Sequence, residues 1–188
     1  EDQRTGELSR TGMLFQRSAL FDSMTIWQNI TFCLSQTRNI TTHAAREFAI
    51  GKLIDVGLAP DVADLFPVEL SGGMQKRVGI ARAIVDEPEM LLLLLLLLLD
   101  EPTAGLDPIM TQAINDLILE NAEKLGATIL SITSDMDGAR AIADRIAMIC
   151  DGRIIWCGPK DVADDSGNAH VDQFIHRRGD GPIEMMLE

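Results

Sequence analysis

The apolar residues of this chain recur at two spacings, which alternate along the sequence. Between residues 44 and 56, apolar side chains stand three and four positions apart, the spacing of one helix face. The continuous apolar stretch at 127–132 is instead typical of a strand in a parallel sheet that is covered on both faces. Because strands and helices alternate, the pattern predicts an α/β fold.

The remaining elements follow from the same periods and from turn residues. A short strand is predicted at 12–15, residues 16 to about 68 are mostly helical, and Ser71-Gly72-Gly73 begins a further helix. The elements predicted after it are helices at 109–125, about 136–143 and about 171–177, and strands at 146–150 and 153–157 joined by the turn Asp151-Gly152.

Nine consecutive leucines follow Met90 and end at Asp100. This apolar run is longer than a typical strand of ~5–6 residues, and it falls short of the ~20 residues that span a bilayer. We interpret it as a low-complexity insertion or a sequence artefact that leads into one buried strand. The chain itself is not expected to cross a membrane.

Composition narrows the class of protein. The 188 residues carry 16 Lys and Arg against 29 Asp and Glu, a formal net charge of −13. Such an acidic chain is not expected to bind nucleic acid, because phosphate backbones are bound by clustered Lys and Arg. Three cysteines without Cys-x-x-Cys spacing predict neither a disulfide framework nor a zinc site.

Two short segments carry candidate chemistry. The helix start at Ser71-Gly72-Gly73 presents backbone N–H groups and a hydroxyl at the positive end of the helix dipole, where a phosphate can bind. Asp100 and Glu101 follow an apolar strand, so one carboxylate can hold Mg²⁺ and the other can accept a proton from water. Taken alone, the first segment could equally be an ordinary helix cap and the second a solvated strand end. Their occurrence in this order favours a nucleotide site.

At these motifs the chain resembles the ATPase subunit of ATP-binding-cassette (ABC) transporters, from Gly12 to about Gly158. Gln16 matches the Q-loop glutamine, and residues 70–75 match the ABC signature. Residues 96–101 match the Walker B strand with its following glutamate, and residues 104–107 match the D-loop. The segments at 15–27 and 70–77 look most like the branch that moves phospholipids between membranes.

The resemblance implies a partial RecA-like P-loop NTPase core, in which helices flank a parallel sheet and a helical signature subdomain is inserted. Residues 1–15 would be the remnant of the N-terminal core and 16–88 the signature subdomain. Residues 89–158 would form the core with Walker B, D-loop and switch region, and 159–188 a C-terminal extension.

The resemblance also implies roles for individual residues. Asp100, together with Gln16, would support Mg²⁺, and Glu101 would polarise the attacking water while Gln16 senses the γ-phosphate. The residues implied in binding ATP or in shaping the dimer interface around it are Ser71, Gly72, Gly73, Gln75 and Asp107.

Function in this family implies ATP and Mg²⁺ as cofactors, a second copy of the ATPase subunit and a membrane permease. The expected location is the cytoplasmic face of the inner membrane, and the expected cargo is phospholipid. Two alternatives stay open. One is the ATPase of an importer for amino acids or other small solutes, and the other is a catalytically degenerate regulatory subunit.

Two departures from the family pattern matter. The loop Gly-x-x-x-x-Gly-Lys-[Ser/Thr] occurs nowhere in the 188 residues, although it supplies the N–H cradle and lysine for the β- and γ-phosphates. We therefore expect an N-terminally truncated chain that is inactive alone. At the switch position, Ser134 stands where the family usually has histidine. Serine is shorter and cannot become cationic, so both retained and slowed hydrolysis are compatible with it.

Overall fold

The chain folds into two compact units, residues 1–134 and 135–188. The computed structural model describes residues 11–14, 16–37, 40–85 and 96–183. In the first unit, the strands β1 (Thr11–Leu14), β2 (Leu96–Asp100) and β3 (Thr128–Ile132) form a parallel sheet in the order β1-β2-β3. The predicted α/β class is confirmed.

Five α-helices of the first unit accompany this sheet within the described ranges. They are α1 (Ile26–Ile30), α2 (Phe32–Thr37), α3 (Thr42–Asp55), α4 (Gly72–Ala83) and α5 (Pro108–Leu125), with 3-10 turns at Gln16–Ala19, Pro60–Asp64 and Pro67–Glu69. The helix predicted at 109–125 is confirmed as α5. It begins at an Asp107 cap followed by Pro108 and ends at Gly126, whose φ of 60° closes the last turn.

The sheet is anchored by alternate leucines of β2. Leu97 and Leu99 are buried, and they pack in one apolar core with Leu14 of β1, Val78 of α4 and Ile114 of α5. The register pairs Leu14 with Leu99 and Asp100 with Ile132. Because the strands are parallel and end in register, the residues that follow them lie at one edge of the sheet.

Two expectations about the strands meet different outcomes. The strand at the end of the leucine run is confirmed at 96–100, whereas residues 90–95 of the run lie outside the described residues. The expectation that both faces of the 127–132 strand are covered is wrong: Leu130 and Ile132 are 56% and 63% exposed. β3 lies at the end of the three-stranded order, so its side chains have fewer neighbours than those of central β2.

The second unit is built around an antiparallel hairpin. Strands β4 (Arg145–Cys150) and β5 (Arg153–Pro159) are joined by Asp151 and Gly152, with φ values of 51° and 72°. Two consecutive positive φ angles give the twist that a tight hairpin requires, and the predicted turn is confirmed. Helices α6 (Met136–Ile142) and α7 (Ala169–Ile175) complete the unit. No helix in the described part of the chain is long and apolar enough to cross a membrane.

Asn29 organises the turn that leads into α1. Its side chain is fully buried. Its Oδ1 accepts from the Phe21 N–H at 2.7 Å, and its Nδ2 lies 3.1 Å from each of the Phe21, Met24 and Thr25 carbonyl oxygens. One amide therefore satisfies four backbone groups that would otherwise lose hydrogen bonds on folding.

We expect Asn29→Ala to lower the free energy of unfolding by about 3 kcal/mol, because buried backbone groups left without partners cost about 1–3 kcal/mol each. The measurement is urea unfolding followed by Trp27 fluorescence in a Trp156→Phe background, which removes the other of the two tryptophans. Asn121→Ala is the control: Asn121 is also buried, at 4% exposure, but among the described residues its amide donates to a single acceptor, the Leu117 carbonyl. Equal losses in the two variants would contradict the role assigned to Asn29.

Candidate functional site

Glu101 occupies the carboxyl edge of the sheet, directly after β2. Its backbone N–H donates to the Ile132 carbonyl at 2.8 Å. Its φ is +46°, in the left-handed region that non-glycine residues rarely adopt. Such backbone geometry persists only where surrounding contacts hold it, and it is concentrated at functional sites.

Three donors from the end of β3 hold the Glu101 carboxylate. The Thr133 hydroxyl donates to Oε2 at 3.1 Å. The Ser134 backbone N–H and hydroxyl both donate to Oε1, at 2.8 and 2.9 Å. The residue at the switch position therefore contacts the acid at the end of the neighbouring strand directly.

These contacts set the pKa of Glu101. Burial by itself raises the pKa, but the hydrogen bonds from Ser134 and Thr133 and the positive charge of Lys76 outweigh burial and hold the pKa below its ordinary value of 4.5. Glu101 is thus an ionised carboxylate at neutral pH, as a proton acceptor must be.

Lys76 reaches the same residue from α4. It is 5% exposed, and its Nζ donates to the Glu101 backbone carbonyl at 2.8 Å. Burial lowers the pKa of Lys76, and the nearby carboxylates of Glu101 and Asp100 oppose that shift. The interaction joins residues 25 positions apart and links α4 to the edge of the sheet.

The N-terminus of α4 is open to solvent. Ser71 caps the helix by accepting from the Met74 N–H, and both Ser71 and Gly72 are exposed. Gly73 is buried, and it lies so close to α5 that a Cβ at this position would be 2.5 Å from Met110 Cε. The tip of α4 is therefore exposed at Ser71 and Gly72, while Gly73 packs against α5.

The other predicted site residues are placed as follows. Gln75 donates inward to the Pro67 and Leu70 carbonyls, at 2.9 and 3.3 Å, and so holds the segment that precedes the tip. Asp107 accepts from the Ile109 and Met110 N–H groups as the cap of α5. The backbone of Gln16 begins the 3-10 turn after β1, but its side chain lies outside the described residues.

Asp100 is the last residue of β2 and is partly exposed at the same edge. Among the described residues, no group of three or more His, Cys, Asp or Glu could hold a metal ion. A single carboxylate oxygen does fit Mg²⁺, which is usually bound by one or two carboxylates together with substrate phosphates and water. A protein cage of several ligands is not required.

Sequence reasoning missed Lys76 and Thr133. The signal for Lys76 was present, because Gly73, Lys76, Ile80 and Ala83 follow one another at spacings of three and four and are all buried in α4. A lysine on an apolar stripe predicts a buried partner, although it does not say which. Thr133 could have been found from its place directly after a predicted strand, beside the switch residue.

Comparisons with known proteins agree with this geometry. The family described as ABC transporter matches residues 1–104. The chain is 38% identical, over 94% of its length, to the probable ribonucleotide transport ATP-binding protein mkl of Mycobacterium bovis, and covers 47% of that protein. It is 38% identical over 81% of its length to the methionine import ATP-binding protein MetN of Lacticaseibacillus paracasei, covering 41% of it.

Two further matches extend the comparison. The chain is 36% identical, over 93% of its length, to the protein TRIGALACTOSYLDIACYLGLYCEROL 3, chloroplastic, of Arabidopsis thaliana, and covers 53% of it. Its fold superposes, with a TM-score of 0.71 and 28% identity, on 67% of the ATP-binding cassette MJ0796, solved as a dimer in a post-hydrolysis state bound to ADP and Pi; the match covers 85% of this chain.

Acids at the carboxyl edge of a parallel sheet flanked by helices, together with this structural match, define an α/β fold of the P-loop nucleoside triphosphatase type. The chain belongs to the ABC transporter family and corresponds to part of its ATPase domain. It spans about half the length of the curated relatives it matches.

Proposed function

We propose that the whole protein is the ATP-hydrolysing subunit of an ABC transporter and that Glu101 is its catalytic base. The observation that carries this proposal is the Glu101 carboxylate itself. It is ionised, lies at the carboxyl edge of the sheet, and is held by donors from Thr133 and Ser134. A base with a fixed orientation is what in-line attack by water on a phosphate requires.

The hydrogen bonds also indicate which oxygen accepts the proton. A carboxylate has about four acceptor positions. Among the described residues, Oε1 already accepts from two donors and Oε2 from one, so Oε2 has the open position. Water gives its proton to Oε2, its oxygen bonds to the γ-phosphorus, the bond to the β–γ bridging oxygen breaks, and ADP and phosphate leave.

Asp100 would hold Mg²⁺ jointly with the phosphates. When bound, the ion supplies positive charge that stabilises the negative charge developing on the transferred phosphoryl group. We assign Gln16 to sensing the γ-phosphate and ion, in line with the resemblance at that position. The Gly-x-x-x-x-Gly-Lys-[Ser/Thr] loop would be supplied by a part of the protein outside these 188 residues.

The exposed tip of α4 supports a site shared between two copies. Ser71 and Gly72 are both exposed, and the start of a helix offers N–H groups and a hydroxyl that would bind a triphosphate held by a second copy. Gln75 would support this tip, and Asp107 would lie at the interface. Residues 16–88 would dock on a permease, and residues 89–158 would form the catalytic core.

We propose phospholipid as the cargo. The segments at 15–27 and 70–77 resemble the lipid-moving branch, and one relative bears the name of a galactolipid. The similarity to a methionine import protein favours the small-solute alternative instead. The test reconstitutes the full-length protein with its permease in vesicles and compares ATP-dependent transfer of a fluorescent phospholipid with uptake of labelled methionine. Methionine uptake without lipid transfer would reject the lipid proposal.

Ser134→Ala tests the switch position. We expect a modest loss in kcat, about 10-fold, because the Ser134 N–H and the Thr133 hydroxyl continue to hold Glu101. Loss of one donor raises the pKa of Glu101. Since only the ionised carboxylate accepts a proton, the acid limb of kcat moves to higher pH. The measurement is the pH profile of ATP hydrolysis by the full-length protein.

Ser131→Ala is the matched control, because the buried Ser131 hydroxyl on β3 has no hydrogen-bond partner among the described residues. It should leave both kcat and the pH profile unchanged. An unshifted acid limb in Ser134→Ala would refute the contact with Glu101 as the role of this serine.

A further inference from the structure

Lys76 is a buried cation that the hydrolysis chemistry proposed above does not use. It lies five residues after Ser71 on α4, about 7.5 Å along the helix axis at 1.5 Å per residue. Only 5% of it is exposed. Since removing an ammonium group from water is unfavourable, a lysine is stable in a buried position only where its contacts offset that cost.

Among the described residues, the hydrogen bond of Lys76 goes to a backbone carbonyl rather than to a carboxylate oxygen. The Glu101 carbonyl accepts from Lys76 Nζ at 2.8 Å and from the Ala104 N–H at 3.2 Å. Glu101 is also the residue whose φ is +46°. Two donors on the carbonyl, and the bond from its own N–H to Ile132, hold both of its peptide groups and thereby fix the direction of its side chain.

A second cation of the same helix makes an equivalent contact. Arg82 donates to the Ser18 and Ala19 carbonyls, at 2.6 and 3.0 Å. These residues end the turn that begins at Gln16, and both have positive φ, 63° and 39°. α4 therefore holds left-handed backbone at two places, after β1 and after β2.

Gly79 lets α4 lie close enough for both contacts. A Cβ at this position would be 2.5 Å from Leu14 Cδ1 and 3.1 Å from Ser18 Cβ. Leu14 is fully buried, so its side chain has little room to move away. The helix consequently cannot shift along the sheet without disturbing the backbone that Lys76 and Arg82 hold.

From these contacts we infer that Lys76 is a positioning residue that couples the tip of α4 to Glu101. This inference rests on the proposed function. The tip of α4 meets the triphosphate of the second copy, whereas Glu101 acts on the triphosphate of its own copy. When Ser71 binds the triphosphate held by the second copy, α4 moves as a rigid helix. Lys76 then transmits this displacement to the backbone of Glu101 in its own copy. Each copy then aligns its base only when its signature helix is engaged.

The test is made in the full-length protein with Lys76→Met, which keeps an unbranched side chain one atom shorter and removes its donor. We expect kcat for ATP hydrolysis to fall about 10- to 100-fold, the scale of a misplaced reacting group. KM should stay unchanged, as should ATP-dependent dimerisation measured in a Glu101→Gln background. Lys76→Arg, which restores a cation, should recover part of kcat.

Lys52→Met is the matched control. Lys52 is 6% exposed on α3, where it pairs with Asp55 and lies over the Phe48 ring. The Lys52→Met substitution removes a buried lysine that does not contact Glu101. Its kcat should therefore stay within about twofold of wild type when the melting temperature is retained. A loss in Lys52→Met equal to that in Lys76→Met would overturn the inference.

Coupling is tested by a double substitution. If Lys76 transmits the engagement of Ser71, the Ser71→Ala, Lys76→Met double variant should have a kcat close to that of Lys76→Met alone. Fold losses that multiply would mean independent action and would overturn the coupling. The proposed function is judged separately: it fails when wild type and Glu101→Gln hydrolyse ATP at the same rate. An active wild type, an inactive Glu101→Gln and an unchanged Lys76→Met reject only the inference about Lys76.

Discussion

Glu101→Gln is expected to lower kcat for ATP hydrolysis by about 10²–10⁴-fold, the usual contribution of a positioned acid or base. The amide that replaces the carboxylate has nearly the same shape and still accepts from Ser134 or Thr133 through its remaining carbonyl oxygen. It cannot accept a proton from water. Binding of ATP should therefore be retained while turnover is lost, which steady-state phosphate release and equilibrium nucleotide binding measure on the full-length protein.

The control for this variant is Glu123→Gln on the exposed face of α5. It removes the same charge away from the sheet edge, so its kcat should match that of wild type. Comparison of Glu101→Gln with Glu123→Gln also distinguishes a catalytic subunit from a regulatory one. A regulatory subunit would show the same low hydrolysis in wild type, Glu101→Gln and Glu123→Gln.

Gly72→Asp is expected to reduce ATP hydrolysis at least about 10²-fold, because it places a carboxylate where the proposed clamp brings N–H donors against a triphosphate. The substitution fits the chain itself, since a Cβ at Gly72 has no atom within 4 Å. Any loss of activity therefore reports on the approach of a ligand or a second copy. Phosphate release measures the loss of activity, and the melting temperature of the same preparation shows whether the fold is retained.

Gly51→Asp provides the comparison. Gly51 is an exposed glycine of α3, and a Cβ there also has nothing within 4 Å. This variant adds the same charge to a helix outside the proposed clamp and should hydrolyse ATP normally. Wild-type activity in Gly72→Asp would show that the tip of α4 does not meet the nucleotide.

Local signals were sufficient for most elements of the fold. The turn Asp151-Gly152 was predicted because it depends on the conformational preferences of its own residues, and the helix at 109–125 because its apolar positions repeat at helical spacing. The exposure of the β3 side chains could not be predicted from the sequence. An apolar strand looks alike at the centre and at the edge of a sheet, since strand order is set by which strands pair.

The order and spacing of residues predicted the two segments that carry candidate chemistry, but they did not predict the hydrogen-bond partners of the side chains. The segment Ser71-Gly72-Gly73 begins a helix and Asp100-Glu101 ends a strand, as the pattern predicts. Nothing in the pattern indicates that Gln75 donates to the loop before the helix rather than outward. A side chain on a helix has several reachable acceptors, and packing selects among them.

The sequence by itself determined the class of protein, the positions of most of its helices and strands, and the acids that end the central strand. Only the tertiary structure decided how Glu101 is held. The three contacts from Lys76, Thr133 and Ser134 span 25, 32 and 33 residues. They form because burial of apolar surface brings α4 and β3 against β2, and local periodicity carries no information about which elements meet.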